Sequence, residues 1–152
     1  MIARTVTCLG AAALAAGMLL SAPAMAQFAK PEGAIKYRQS AFAVMGNHMG
    51  RLAAMVKGDR PFDAAAAQNS ARIIDTMAKL PWEAFVPGSD QGKTDAEPEL
   101  FDNLADVRRL ADRLNAETAK LVPAAGNLDT LRNQVDATGA ACKSCHQKYR
   151  KM

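Results

Sequence analysis

The apolar positions in the last part of the chain step by three and four residues: Leu128, Leu131, Val135, Thr138, Cys142, Cys145, Tyr149. That spacing is the period of one face of an α-helix. It puts both cysteines on the inward face of a helix, so whatever they carry must be housed inside the fold. The cysteines belong to a run of five residues, Cys142-Lys143-Ser144-Cys145-His146. Cysteines three apart lie about one turn from each other on a helix.

Two such cysteines followed directly by histidine form the attachment pattern of a c-type haem. Each thiol can add to one haem vinyl group, and His146 can turn its imidazole onto the iron. The expected cofactor is one haem c per chain, held covalently by Cys142 and Cys145 with His146 as axial iron ligand. The same five residues also suit a thiol redox pair or half of a zinc site. Zinc needs two more ligands, and the other candidates are Cys8 and His48. A thioredoxin-like pair would open a βαβ unit, and no such unit is legible.

Residues 1–26 read as a cleaved secretory signal peptide. Arg4 is its one charge, an Ala/Leu-rich run extends to Leu20, and Ala24-Met25-Ala26 supplies a small-x-small cleavage pattern before Gln27. The apolar run is short for a membrane span. Cleavage removes Cys8 and leaves a mature domain of residues 27–152. It also lowers the formal charge from +4 to +3. That mild, dispersed positive balance offers no concentrated basic face for nucleic acid. Export fits covalent haem attachment and implies a periplasmic protein with no membrane association after cleavage.

The mature chain is helical throughout, in four amphipathic segments. The first runs from about Pro31 to Lys57, with the seam Ile35, Arg38, Phe42, Met45, Met49, Leu52, Val56 and a stop at Gly58. The second runs from about Asp63 to Leu80, capped by Asp63 and ended or bent by Pro81. A loop from Trp82 to Glu97 follows. The third starts near Pro98 and closes at Pro123; the fourth is capped by Asn127. The expected fold is all-α, an antiparallel four-helix bundle with its haem facing the interior.

The chain resembles cytochrome c′, the class II c-type cytochromes whose haem motif is C-terminal. The likeness spans the mature chain. Ala29-Lys30-Pro31-Glu32 and Lys36-Tyr37-Arg38-Gln39 resemble the family's opening. Val56-Lys57-Gly58, Leu80-Pro81-Trp82, and the haem motif with Tyr149-Arg150 resemble its later landmarks. The resemblance implies five-coordinate iron with an apolar distal pocket. It implies binding of nitric oxide and carbon monoxide, discrimination against oxygen, and a role in nitric oxide binding, transport or detoxification. It also implies a homodimer packed through helices one and two. The electron donor is not implied.

The resemblance places Phe42 over the distal haem face, where the family usually carries leucine or another apolar residue. Low-spin relatives place a methionine ligand there. Phenylalanine has no lone pair for iron and is larger than leucine, so a crowded open site is expected. Met45 and Met49 share that face and are alternative ligands, although seam methionines usually fill gaps. His48 lies beside the seam and reads as a core or surface histidine. Arg38 interrupts an apolar seam and should have an anionic partner; a haem propionate suits it. Arg150 lies one turn after His146, and the resemblance puts it on the proximal haem side. A solvated basic tail is the alternative for Arg150. Trp82 is expected to pack near the haem or the adjoining loop.

The runner-up function is a low-spin periplasmic electron carrier. A peroxidase-type enzyme would want a distal acid–base group. The predicted distal seam offers none, so the chain is not read as an enzyme.

Overall fold

The computed structural model describes residues 27–151. The expected signal peptide, residues 1–26, lies outside the described residues, as does Met152. Helix α1 spans Pro31–Lys57. Proline suits its first position because no intrahelical N–H is needed there. Gly58 ends it in the left-handed region at φ 82°, with its N–H donating to the Met55 carbonyl at 3.2 Å.

Helix α2 spans Ala64–Met77, and the Asp63 carboxylate accepts from the Ala66 N–H at 3.0 Å. It stops earlier than the Leu80 expected from sequence. Pro81 has no N–H to give the Met77 carbonyl and its ring would crowd that carbonyl. Instead the chain tightens, with the Leu80 N–H donating to Met77 at 3.2 Å. Pro81 then opens a short 3-10 turn, Pro81–Ala84.

The expected third helix is divided. A single turn, α3 (Glu99–Asp102), precedes α4 (Leu104–Ala124). Asn103 makes the break: its side-chain amide donates to the Glu99 carbonyl at 2.7 Å, a local bond that competes with the helical pattern. Pro123 does not close the helix as predicted. It sits inside the last turn of α4, and the Ala125 N–H still donates to Leu121 at 2.9 Å. Helix α5 spans Leu128–Tyr149, with the Asn127 side chain accepting from the N–H groups of Asp129 and Thr130.

Helix α1 packs against α2 and α5, and α4 packs against α2 and α5. These contacts close an antiparallel four-helix bundle, as the periodicity predicts. One end of the core is built from Leu52, Ile74, Leu121 and Leu131. The middle holds Met45, Ala78, Leu114 and Ala141, and the far end Leu100, Val107, Leu110 and Tyr149. Both cysteines pack against these last two clusters, Cys142 on the middle and Cys145 on the far end. Two threonines are fully buried in the bundle, and each returns its hydroxyl to its own helix: Thr138 to the Gln134 carbonyl, Thr118 to that of Asn115. Satisfied in this way, they cost the core little.

The connection before α3 is fastened to the C-terminus. After α5 the chain turns extended at Arg150 and forms an antiparallel bridge with Ala96. The Glu97 N–H donates to the Tyr149 carbonyl at 2.9 Å and the Lys151 N–H to that of Asp95 at 2.8 Å. A pairing this short leaves no alternating pattern in the sequence. Among the described residues, no helix is long and apolar enough to cross a membrane.

Candidate haem site

The helical register of α5 delivers Cys142, Cys145 and His146 to one cavity of about 680 Å³. Its walls come from α1 (Phe42, Met45, Met49), from the connection after α2 (Trp82, Phe85, Ala96), from Leu110 and Leu114 of α4, and from α5 itself. The size falls within the range of cofactor pockets, and the lining is mostly apolar. Both thiols are free and half-buried. Burial raises the pKa of each above the ordinary thiol value, with the Asp106 charge adding to the effect at Cys145. The pair is thus kept protonated in this apolar setting. Two unpaired thiols one turn apart on an apolar cavity wall, with a histidine beside them, fit a covalently held haem.

His146 borders the cavity. Burial, and then the charge of Arg150, lower its pKa. Both favour the neutral imidazole that ligates iron. His48 is directed elsewhere: its Nδ1 lies 3.2 Å from Ser70 Oγ, and it is not among the cavity residues. Among the described residues, no three histidine, cysteine, aspartate or glutamate side chains gather as a metal site.

Phe42 lies on the α1 wall, its ring edge-to-face with Trp82 at a centroid distance of 5.8 Å and an interplanar angle of 78°. Trp82 stacks on Phe85 at 6.3 Å, and Phe85 meets Phe101 at 6.0 Å. Met45 is buried at the base of this wall, and Met49 is half-buried one turn on.

Arg38 is 2% exposed. Its two Nη groups are held by neutral oxygens of the connection after α2. Nη1 donates to the Ala84 carbonyl at 2.9 Å and to Ser89 Oγ at 2.8 Å. Nη2 donates to the Ser89 carbonyl at 2.6 Å and to Thr94 Oγ1 at 2.8 Å. The guanidinium also lies over the Phe85 ring at 4.9 Å. A forked cation can saturate carbonyls of an irregular loop without a carboxylate, and an aromatic face adds to its stabilisation. Its Nε makes no hydrogen bond among the described residues.

Arg150 borders the cavity with an exposed side chain, 3.6 Å from the Asp95 carboxylate. Sequence reasoning did not single out Asp106. Its carboxylate accepts from Lys148 at 2.6 Å, from Tyr149 at 2.8 Å and from Arg109 Nε at 3.1 Å. It thereby ties α4 to the last turn of α5. Its i,i+3 spacing to Arg109 was legible, but its pairing across 42 residues to Lys148 was not.

Several polar donors on the cavity wall are committed. The Trp82 indole N–H goes to the Ala78 carbonyl. Gln39 donates to the Lys93 carbonyl at 3.0 Å, Arg38 to its loop, and Tyr149 to Asp106.

Known proteins share this fold. The family described as Cytochrome C' matches residues 33–150. Cytochrome c′ of Alcaligenes xylosoxydans xylosoxydans is 44% identical over 127 residues, covering 82% of this chain and 98% of that protein. A crystal structure of cytochrome c′ from Rubrivivax gelatinosus superposes with a TM-score of 0.78 at 43% identity, covering 82% of this chain and 100% of that one. A carbon monoxide-bound variant of the Alcaligenes xylosoxidans protein gives a TM-score of 0.76 at 43% identity, covering 83% and 100% of the two chains. A ferrous variant of that same protein with bound nitric oxide gives 0.77 at 42%, covering 83% and 99%. The chain belongs to the cytochrome c′ family, whose cofactor is a covalently attached c-type haem.

Proposed function

We propose that this protein is a periplasmic gas-binding haem protein that takes up nitric oxide and carbon monoxide and discriminates against oxygen. Cys142 and Cys145 would hold the haem as thioethers, His146 would be the single protein ligand of its iron, and Phe42 would cover the distal wall of the cavity. When bound, the haem supplies an iron centre with one position for a diatomic ligand and a capacity for one-electron exchange. Nitric oxide binding, transport or detoxification is the role this chemistry serves. Carbon monoxide and nitric oxide complexes of the Alcaligenes relative support the choice of ligands.

The observation that carries the reading is the commitment of the Trp82 indole N–H and both Arg38 Nη groups on that wall. A bound oxygen molecule is polarised and needs a hydrogen bond to be held, so pocket polarity and donors decide its fate. Here the indole N–H of Trp82 is taken by Ala78, and both Nη groups of Arg38 are taken by the loop. Breaking such a bond to serve a ligand would leave a buried acceptor unsatisfied. Nitric oxide and carbon monoxide bind iron without that help. The apolar side chains of Phe42, Met45 and Met49 exclude water from the same wall.

Arg38 Nε is the donor proposed for a haem propionate, and Arg150 the group that flanks the proximal side. The signal peptide of residues 1–26 and the homodimer through α1 and α2 are parts of the same proposal. Among the described residues, Val44 is the large hydrophobic that those two helices expose, at 37%. Sedimentation velocity of the mature protein reads the oligomeric state.

A low-spin electron carrier is the second reading, favoured by the thioethers of Met45 and Met49 on the cavity wall. Absorption spectra of the ferrous protein, with and without nitric oxide, separate the two. A high-spin spectrum that shifts on adding nitric oxide supports the gas-binding site. A low-spin spectrum indifferent to the ligand sinks it in favour of the carrier.

A further inference from the structure

Phe42 lines the cavity from α1, and its side chain packs on the middle core cluster, which includes Met45 one turn on. It is half-buried on α1, with neighbouring Ala43 and Gly46 offering little side-chain support. Among the described residues, the one aromatic ring against it is Trp82, edge-to-face at 5.8 Å. Trp82, in contrast, is held on three sides. Its N–H is bonded to Ala78, one face stacks on Phe85, and its ring packs against both the middle and far-end core clusters. Phe85 in turn carries the Arg38 guanidinium over its ring. The rigidity of the aromatic row thus runs from the Arg38 loop through Phe85 and Trp82 to Phe42.

We infer that Trp82 is a positioning residue that sets how readily a diatomic ligand passes Phe42, by fixing the Phe42 ring over the cavity. The inference rests on the reading of Phe42 as the distal cover. Two rings in edge contact resist rotation of either one. Removing the Trp82 edge frees χ1 and χ2 of Phe42 and opens the barrier without altering the axial ligand. Trp82 does not act as a hydrogen-bond donor to the ligand, because its only N–H is used.

The test is a double-mutant cycle on the haem-loaded protein, read as the carbon monoxide association rate at ferrous haem. Phe42→Ala should raise the rate by about tenfold or more, and Trp82→Leu alone by about fivefold, the scale of one aromatic pair. In the Phe42→Ala background, Trp82→Leu should add less than about twofold, because there is no ring left to hold. Trp82→Phe should return the rate to within about twofold of the parent, since a ring edge is kept although the indole N–H is lost. The ferrous absorption spectrum should be the same in the parent and all four variants. Trp82→Met gives the same comparison if Trp82→Leu fails to retain haem.

An unchanged rate in Trp82→Leu overturns the inference. So does an equal, multiplicative effect in the Phe42→Ala background, which would make Trp82 part of the barrier in its own right. An unchanged rate in Phe42→Ala instead removes Phe42 as the distal cover, and the inference falls with it.

Discussion

The Tyr149 hydroxyl donates a 2.8 Å hydrogen bond to the Asp106 carboxylate, 43 residues earlier in the chain. It joins the start of α4 to the turn of α5 that carries His146. Tyr149 is 3% exposed, so its hydroxyl has little access to water. Without Asp106 it would be a buried donor lacking a partner. Lys148 and Arg109 close on the same carboxylate from outside.

Replacing Asp106 with asparagine should therefore lower the melting temperature by several degrees, in an acid-sensitive way. Hydrogen bonds from Lys148, Tyr149 and Arg109, in that order, hold the carboxyl well below the ordinary aspartate range. A carboxylate depressed on folding stabilises the fold at all pH values above its unfolded pKa. It loses that effect as the pH falls toward the folded value. The gap between parent and variant should be constant above about pH 5 and narrow below about pH 4. Thermal melts across that range check it, and a gap that grows in acid would contradict it.

Arg38→Met should destabilise the protein by about 3 kcal/mol, read as the midpoint of urea denaturation. Four buried oxygens on Ala84, Ser89 and Thr94 would each lose a donor together, and Ala84 O and Thr94 Oγ1 would keep only the longer bonds from Ser89 Oγ and the Ala96 N–H. Arg38→Lys should recover little of the loss, because one ammonium cannot present forked donors on two sides. Full recovery by lysine would mean that charge, not geometry, is what this loop requires.

Substituting both Cys142 and Cys145 with alanine should give a protein from which acidified organic solvent extracts all haem. Each single substitution should leave one covalent link, seen as a shift in the reduced pyridine haemochrome band. Extraction of haem from the parent protein would rule out both attachments.

His146→Gly should remove the axial ligand while sparing both thioether positions. Added imidazole should then restore a parent-like ferrous spectrum, since the cavity borders the space the ring leaves. Failure of imidazole together with a spectrum unchanged by the substitution would show that another residue holds the iron. Met45 or Met49 would be the first to examine.

Most of the fold is legible because it is local. The three-and-four stepping of α1 and α5, the Asp63 and Asn127 caps, and Gly58 at a positive φ are each decided within a few residues. The haem motif is legible for the same reason, since one helical turn joins its parts. Three boundaries were misread where local signals compete, the first being α2, which ends at Met77 ahead of Pro81 and not at Leu80. Asn103 breaks the third helix by bonding back to Glu99, and Pro123 is tolerated because it falls in a terminal turn with few carbonyls left to serve.

The sequence alone determined that this chain is helical, that its last helix carries two inward cysteines and a histidine, and which residues share the α1 seam. Only the tertiary structure decided what those residues meet. Arg38 finds loop oxygens for its Nη groups, Phe42 finds Trp82, and Asp106 finds Tyr149. These partners lie from 40 to 56 residues apart. Periodicity fixes the face a side chain presents, but the element packed against that face is chosen by how the helices and the Phe85–Glu97 connection bury their surfaces together. That choice is a property of the whole bundle and leaves no local trace.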